Sequence, residues 1–299
     1  MNKTKNQISD GNRTGAFIAL LFGFCQISND VAMKAVLVDM PIFQSLFIRG
    51  LMLTPLLLVL LYWRGELSVR PQGRDRFIIS LRILCEIGLS YCLLKAIMTM
   101  PIANVVIITQ AVPFGLAISA MLFFGETVDW RRWLAIIGGF FGVMLVVRPG
   151  TQGFDVNSLY ALASVLLFVI RDIFTRRLSS QIPAFYAAFW QVVGVTLFAI
   201  IMSFYEEWAV PEARHYGLIF TAGVFIFLTN LFAVVMMRLG DIGFVAIFRY
   251  GAILYAILFG YLFFAEVPDA LALLGALVIV IAGAFSLYHD RQQKHRQPS

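Results

Sequence analysis

Charged residues are scarce in this sequence. Of its 299 residues only 13% are Asp, Glu, Lys or Arg, whereas 60% are apolar, and the mean hydropathy is +0.85. A soluble domain usually carries about 25% charged residues, so the composition excludes an ordinary soluble protein. It is the composition of an integral membrane protein.

Cysteine and histidine are also rare, with three copies of each. Cys25, Cys85 and Cys92 lie inside apolar runs without the spacing of metal ligands, so neither a disulfide framework nor a zinc site is expected. The sequence has no GxxxxGKS/T nucleotide loop, no HExxH motif and no polar segment large enough for a soluble active site. We therefore expect no enzyme activity, no metal, no cofactor and no ATP-driven step.

The apolar residues form ten runs, each close to the length of about 20 residues that a helix needs to cross hydrocarbon. Turn-forming residues separate the runs, as in DMP at 39–41 and RPGTQGFD at 148–155. We predict an all-α integral membrane fold with ten spans at 15–37, 42–62, 76–97, 101–124, 130–147, 157–178, 183–204, 215–238, 242–264 and 268–288.

Lysine and arginine are distributed unevenly between alternate loops. With the N-terminus inside, most of them fall on the inner side, and only Lys34, Lys95, Arg148 and Arg214 lie near the outer ends. The positive-inside rule then places both termini in the cytoplasm of a bacterial-type inner membrane. The net charge of +6 reflects this topology rather than a nucleic-acid partner. The basic tail reads as an anchor beside membrane lipid.

The chain contains an internal repeat. AISAMLFFGE at 117–126 aligns with AILFGYLFFAE at 256–266 at a shift of 140, and NDVAMKAVLVDMP at 29–41 aligns with RDIFTRRLSSQIP at 171–183 at a shift of 142. Five spans per copy is an odd number, so the copies enter the membrane in opposite directions, as in many secondary transporters. We predict repeats at 15–148 and 149–288, flanked by tails at 1–14 and 289–299.

These features resemble the drug/metabolite transporter superfamily, in particular its EamA-type members. The resemblance rests on the ten spans, the duplication, FIRG at 47–50, and the FFGE and FFAE endings of the fourth and ninth spans at Glu126 and Glu266. It covers residues 15–288 and implies a ten-helix bundle in which helices 1–4 and 6–9 surround a central cavity. Helices 5 and 10 are then expected to act in packing or in self-association as a homodimer.

Ionisable residues inside the spans are the first candidates for function, because an unpaired one costs at least about 2.5 kcal/mol in a bilayer. Asp30 and Lys34 lie one helical turn apart on the first span, and Arg49 lies at a similar depth on the second. They predict a polar cluster below the outer surface. Arg82 and Glu86, also one turn apart, lie nearer the middle of the third span.

On the inner side the second repeat supplies Arg171, Asp172 and Arg176, and Arg249 lies at a matching depth. We expect Asp30 with Lys34 or Arg49 to close an outer mouth, and Asp172 with Arg249 or Arg176 to close an inner one, in alternation. The alternative is that these residues form permanent structural pairs, although buried pairs add little net stability.

Polar and aromatic side chains between the two charged groups are candidate solute contacts. Gln191 matches Arg49 at the shift of 142, so the two halves are chemically unequal, which suits an asymmetric solute. The candidates are Gln110, Trp190, Gln191, Asn230 and Tyr250.

The mixed acidic and basic residues favour transport of a small organic solute, an amino acid or a related zwitterionic metabolite. A vitamin or flavin-type aromatic solute is the alternative, since Trp190, Tyr250 and the amides suit a larger ring system. The inverted repeat disfavours a non-transporting membrane assembly protein or an intramembrane enzyme. Proton coupling, exchange with a counter-solute and facilitated diffusion stay open, as do import and export.

Overall fold

The computed structural model describes residues 2–125, 129–150, 155–236 and 248–296, and this part of the chain is helical, without a strand. Short 3-10 turns lie at Glu66–Ser68 and Phe248–Tyr250. The helices are α1 Asn2–Val36, α2 Ile42–Trp63, α3 Gly73–Thr99, α4 Ile102–Thr109, α5 Val112–Phe124, α6 Trp130–Val147, α7 Ser158–Arg176, α8 Ala184–Ser203, α9 Ala213–Met236, α10 Gly251–Phe264 and α11 Ala270–Arg296.

The helices coincide with the predicted spans. Eight segments are long and apolar enough to cross a membrane, and two shorter apolar helices, Phe248–Phe264 and Ala270–Ser286, accompany them. The predicted all-α membrane fold is therefore confirmed. Differences lie at the ends, because α1 and α11 continue into the segments predicted as tails. Glu126 and residues 242–247 of the ninth predicted span lie outside the described residues.

The fourth span is broken near its middle into α4 and α5. Pro113 has no N–H, so the regular hydrogen bond to residue 109 is lost. The chain tightens there instead: the Gln110 N–H points at the carbonyls of Val106 and Ile107, and the Ala111 N–H donates to Ile108 at 3.0 Å. Residue 250 corresponds to Gln110 at the shift of 140, and the 3-10 turn before α10 ends there.

The described helices pack as two compact units. The first unit takes residues up to Ser28, Met100–Ser158 and the chain from Leu228 onward, and the second takes Asn29–Thr99 and Leu159–Phe227. Each unit therefore draws helices from both sequence repeats. Compact packing and sequence duplication divide this chain differently.

Matching helices of the two repeats pack on each other within the units. In the first unit α4 packs against α10 and α6 against α11, and in the second α2 packs against α8. Gly142 and Gly275 let α6 and α11 approach closely, since a Cβ on Gly142 would lie 2.8 Å from the Gly275 carbonyl oxygen. Small residues serve this purpose in membrane helix pairs.

Equivalent loop contacts also join the repeats inside the second unit. Asp39, after α1, accepts a hydrogen bond from Arg214 at 2.7 Å at the start of α9. In the other direction Ser179, after α7, donates its backbone N–H at 3.2 Å to Asp75 at the start of α3. In both cases the loop after the first helix of one copy holds the start of the third helix of the other. The contacts fit an inverted pair of copies.

Candidate functional site

A charged network lies within the spans of the second unit, and Arg171 of α7 is its centre. Its Nη1 donates to Glu86 Oε2 of α3 at 2.9 Å, and its Nη2 and Nε donate to Asp172 Oδ1 at 2.9 and 3.1 Å. The guanidinium also lies over the ring of Phe168, 4.0 Å from the centroid. Arg171 is thus held by two carboxylates and an aromatic face.

Arg82 lies on α3 one turn before Glu86, yet Glu86 bonds directly to Arg171. Arg82 instead points its Nη2 at Gln191 Oε1 of α8, 3.4 Å away, and its buried Nε has no hydrogen-bond partner. It feels attraction from Glu86 and Asp172 and repulsion from Arg171. The Arg82 guanidinium is consequently only partly satisfied.

The residues of the predicted outer cluster lie on α1 and α2 in the second unit. Asp30 is 6% exposed and accepts a hydrogen bond at 2.9 Å from the Asn29 amide. Arg49 of α2 is close enough for electrostatic attraction to Asp30 and to Glu86. Lys34 is buried one turn after Asp30. Electrostatics therefore associates Asp30 with Arg49, while a direct Asp30–Lys34 pair stays a prediction.

The predicted inner pairs involve Asp172, Arg176 and Arg249. Asp172 binds Arg171, its neighbour in sequence. Arg176 lies exposed at the end of α7. Arg249 belongs to the first unit and Asp172 to the second. Pairing of Asp172 with Arg249 or Arg176 stays a prediction.

A second group lies at the helix breaks of the first unit. Gln110 Nε2 points at the Arg249 carbonyl oxygen at 3.4 Å, and the Arg249 guanidinium lies 5.0 Å from the ring centroid of Phe22. Tyr250 is buried, with its hydroxyl packed against Gly283. Broken helices expose backbone groups that can bind solutes. The region of Gln110, Arg249 and Tyr250 is therefore a second candidate contact region.

Two further candidates, Trp190 and Asn230, lie on α8 and α9. Trp190 of α8 is 40% exposed and meets Phe189 and Tyr186 edge to face, with centroids 5.7 and 6.3 Å away. Asn230 is half-buried on the part of α9 that belongs to the first unit.

The sequence did not single out several residues that the structure makes prominent. The sequence shows Arg171 as an intramembrane charge but assigns it no partner, and its position beside Asp172 is the available signal. Gln44 of α2 is fully buried and makes a reciprocal pair with the backbone of Ala209, through hydrogen bonds of 2.7 and 3.0 Å. Phe43 and Tyr91 stack with centroids 5.6 Å apart and planes 7° apart.

Comparison with known proteins decides the family. The model of the EamA-like transporter family matches residues 13–148 and again 157–288. The chain belongs to the EamA-like transporter family. The resemblance drawn from the sequence is confirmed, and the family implies the ten-helix repeat fold.

Curated relatives of this EamA-like transporter carry different solutes. It is 23% identical to an S-adenosylmethionine uptake transporter of Rickettsia felis, over 90% of this chain and 91% of the relative. It is 26% identical to a pseudopaline exporter of Pseudomonas aeruginosa, over 90% and 94% of the two chains. A riboflavin transporter of Rhizobium johnstonii is 26% identical over 67% of this chain and 66% of the relative.

A solved structure supports the fold of this EamA-like transporter. That crystal structure shares 17% sequence identity and superposes with a TM-score of 0.65, covering 92% of this chain and 98% of the other. The family, the relatives and the apolar helices together make the protein a multi-pass small-molecule transporter of the membrane.

Proposed function

We propose that this protein moves an amino acid or a related zwitterionic metabolite across the bacterial inner membrane by alternating access, as a secondary-active or facilitative carrier. The observation that carries the proposal is the mixed network of Arg171, Glu86, Asp172 and Arg82 inside the spans. Intramembrane ionisable groups usually mark the path of a solute or ion. A zwitterion can exchange both its charges with such a network.

The proposal includes an orientation. Both termini lie in the cytoplasm, because the basic residues then concentrate on the inner side. Within the spans, Asp30 and Arg49 then lie toward the outer side and Asp172 toward the inner side, and Glu86 and Arg171 link them. Gating by these residues follows if their pairings are made and broken in turn.

Transport by the purified protein in liposomes tests the function. Labelled amino acids, nucleoside-type metabolites and vitamins are offered separately, with empty liposomes as the background. We expect saturable uptake of at least one zwitterionic amino acid, which excess unlabelled compound suppresses. Glu86→Gln should reduce this uptake at least about tenfold, because it disturbs the network while keeping the size of the side chain. Gln181→Ala, in the exposed α7–α8 turn, serves as the matched control.

An aromatic solute of the vitamin or flavin type is the second candidate. Exposed Trp190 and the stacked pair of Phe43 and Tyr91 favour it, because aromatic faces bind planar rings. Uptake of riboflavin without uptake of any amino acid would select this candidate. No uptake of any compound in the panel, by correctly inserted protein, would contradict both.

A further inference from the structure

The charges of the second unit are paired unequally. The charges that interact within its spans include three carboxylates, Asp30, Glu86 and Asp172, and three guanidiniums, Arg49, Arg82 and Arg171. Arg171 alone bonds to two of the carboxylates, at 2.9 Å each. The third, Asp30, accepts its hydrogen bond from the amide of Asn29. Direct carboxylate contacts are therefore concentrated on one arginine.

Arg49 and Arg82 are the two guanidiniums left over. Within the described part of the chain, Arg49 has electrostatic attraction to Asp30 and Glu86 but no direct ion pair. Arg82 has a long hydrogen bond of 3.4 Å to Gln191 and a buried Nε without a partner. Both are attracted to Glu86, whose Oε2 is already bonded to Arg171. Arg49 is also attracted to Asp30 and Arg82 to Asp172, but neither guanidinium makes a direct ion pair among the described residues.

The matching positions of the other repeat carry no cation. Arg49 corresponds to Gln191 in the other repeat, and Arg82 corresponds to the uncharged stretch Ala222–Val224 at either shift. Helices of the other copy thus pack without a cation at either position. A guanidinium in a span without a bonded anion is costly unless something else satisfies it.

We propose that Arg49 and Arg82 receive a carboxylate group of the transported solute. A guanidinium offers a planar fork of donors that matches a carboxylate, and it is charged at every physiological pH. Lys34 is buried one helical turn after Asp30 on α1. The solute therefore carries a carboxylate, and compounds in which that group is an amide are excluded. This inference rests on the proposed transport function and narrows it.

Arginine labelling tests the inference without knowledge of the solute. The full-length protein in detergent is treated with p-hydroxyphenylglyoxal, and the modified arginines are identified by mass spectrometry. Acetate, acetamide and inorganic phosphate serve as probes, with chloride balancing the ionic strength. We expect Arg49 and Arg82 to react at least about tenfold faster than Arg171, whose donors are engaged. Acetate should slow both reactions, and acetamide should not.

Three outcomes overturn the inference. Acetate that protects no better than chloride shows that no carboxylate binds there. Phosphate that protects much better than acetate assigns the residues to a phosphorylated solute instead. Labelling of Arg171 as fast as that of Arg82 shows that the pairing described above is wrong.

Transport separates failure of this inference from failure of the proposed function. For any amino acid that the liposomes take up, its amide should compete at least about tenfold less well, and Arg82→Lys should lose part of this discrimination because the fork is lost. Equal competition by acid and amide, with uptake intact in Arg82→Gln, refutes the carboxylate site while the transporter stands. Protection of Arg49 and Arg82 by acetate, without uptake of any compound, supports the carboxylate site and contradicts the proposed transport function. Arg82→Lys keeps the charge and guards against loss of folding.

Discussion

Arg171 shows what a single charge needs inside a membrane span. It has two carboxylates at 2.9 Å and the face of Phe168, and one of its partners, Glu86, is 85 residues away in sequence. The sequence revealed that Arg171 and Glu86 are intramembrane charges, because each interrupts an apolar run. It did not reveal that they pair. Pairing depends on how α3 and α7 are rotated about their axes, and this rotation cannot be read from a single sequence.

Replacing Arg171 tests this network. Arg171→Gln leaves Glu86 and Asp172 as neighbouring carboxylates without their cation, and we expect a loss of about 3 kcal/mol of stability. Thermal unfolding in detergent measures the loss. Arg74→Gln, at the exposed start of α3, is the matched control and should change little. Equal melting temperatures for the two variants would contradict the central role of Arg171.

Gln44 illustrates a different kind of buried polar group. Its amide satisfies both the N–H and the carbonyl of Ala209, and Glu206 accepts from the backbone N–H groups of Phe43 and Gln44 at 3.0 and 3.2 Å. The segment between α8 and α9 is therefore fixed to the start of α2. In the sequence Gln44 is one of two adjacent polar residues in a largely apolar span, and nothing there indicates its partner.

Gln44→Ala should release this segment. Two partly buried backbone groups of Ala209 lose their partners, at a cost of about 1–3 kcal/mol. Hydrogen exchange of residues 204–211 should accelerate while exchange in α6 and α11 stays unchanged. The exposed Gln181→Ala variant should show no such effect. Unaltered exchange in Gln44→Ala would mean that other contacts hold the segment.

At the scale of helices, apolar run length was enough to predict the ten spans. Which helices touch was not predictable, since every apolar face can meet either lipid or another helix. Small residues gave a partial signal. Gly138 and Gly142 occur on the same face of α6, but only Gly142 meets a backbone: its Cβ would lie 2.8 Å from the Gly275 carbonyl oxygen.

Alanine substitutions at these two glycines distinguish the effect of glycine on helix stability from its effect on the close contact between α6 and α11. Gly142→Ala forces α6 and α11 apart and should destabilise the protein by about 1–3 kcal/mol. Gly138→Ala places its Cβ at an ordinary 3.5 Å from Ala282 and should be neutral or slightly stabilising. Thermal unfolding of both variants measures the difference. A loss of similar size in both would show that helix flexibility, rather than close approach, explains the glycines.

The start of α11 carries a pH-dependent cap. Asp269 Oδ1 accepts from the Ala272 N–H at 2.8 Å, and its other oxygen pairs with Arg148 at the end of α6. The Ala272 N–H and the nearby Arg148 lower the pKa of Asp269 below its ordinary value. A lowered pKa means that the carboxylate contributes stability above its unfolded pKa and loses it as the pH falls through the folded value.

Two substitutions at Asp269 isolate this contribution. Asp269→Ala removes the cap and should cost about 1 kcal/mol at neutral pH. Asp269→Asn keeps a capping oxygen but cannot titrate, so its melting temperature should decline less than that of the wild type between about pH 5 and pH 2. Parallel declines in both proteins would show that Asp269 does not contribute to the acid sensitivity.

In the whole molecule, the sequence repeats and the compact packing units divide the chain differently. Duplication divides the chain near residue 148, and the family model matches two segments on either side of that point. Packing instead divides the described chain into units that each mix helices of both copies. The interleaving follows from contacts between equivalent helices, such as α2 with α8 and α6 with α11. Self-alignment finds the copies but does not show how they intertwine.

Opposite copies require each repeat to begin on a different side of the membrane, and this makes topology the most direct test at the molecular scale. With both termini in the cytoplasm, the α2–α3 connection faces inward and the α8–α9 connection faces outward. In a variant lacking Cys25, Cys85 and Cys92, a cysteine introduced at Gln72 should resist a membrane-impermeant maleimide in intact cells. A cysteine at Glu207 should react, since both positions are exposed. After lysis both should react. Labelling of the Gln72 cysteine alone in intact cells would show that the orientation is the opposite of the proposed one. Labelling of both cysteines in intact cells would mean that an even number of spans separates them, and the two repeats would then not be inverted.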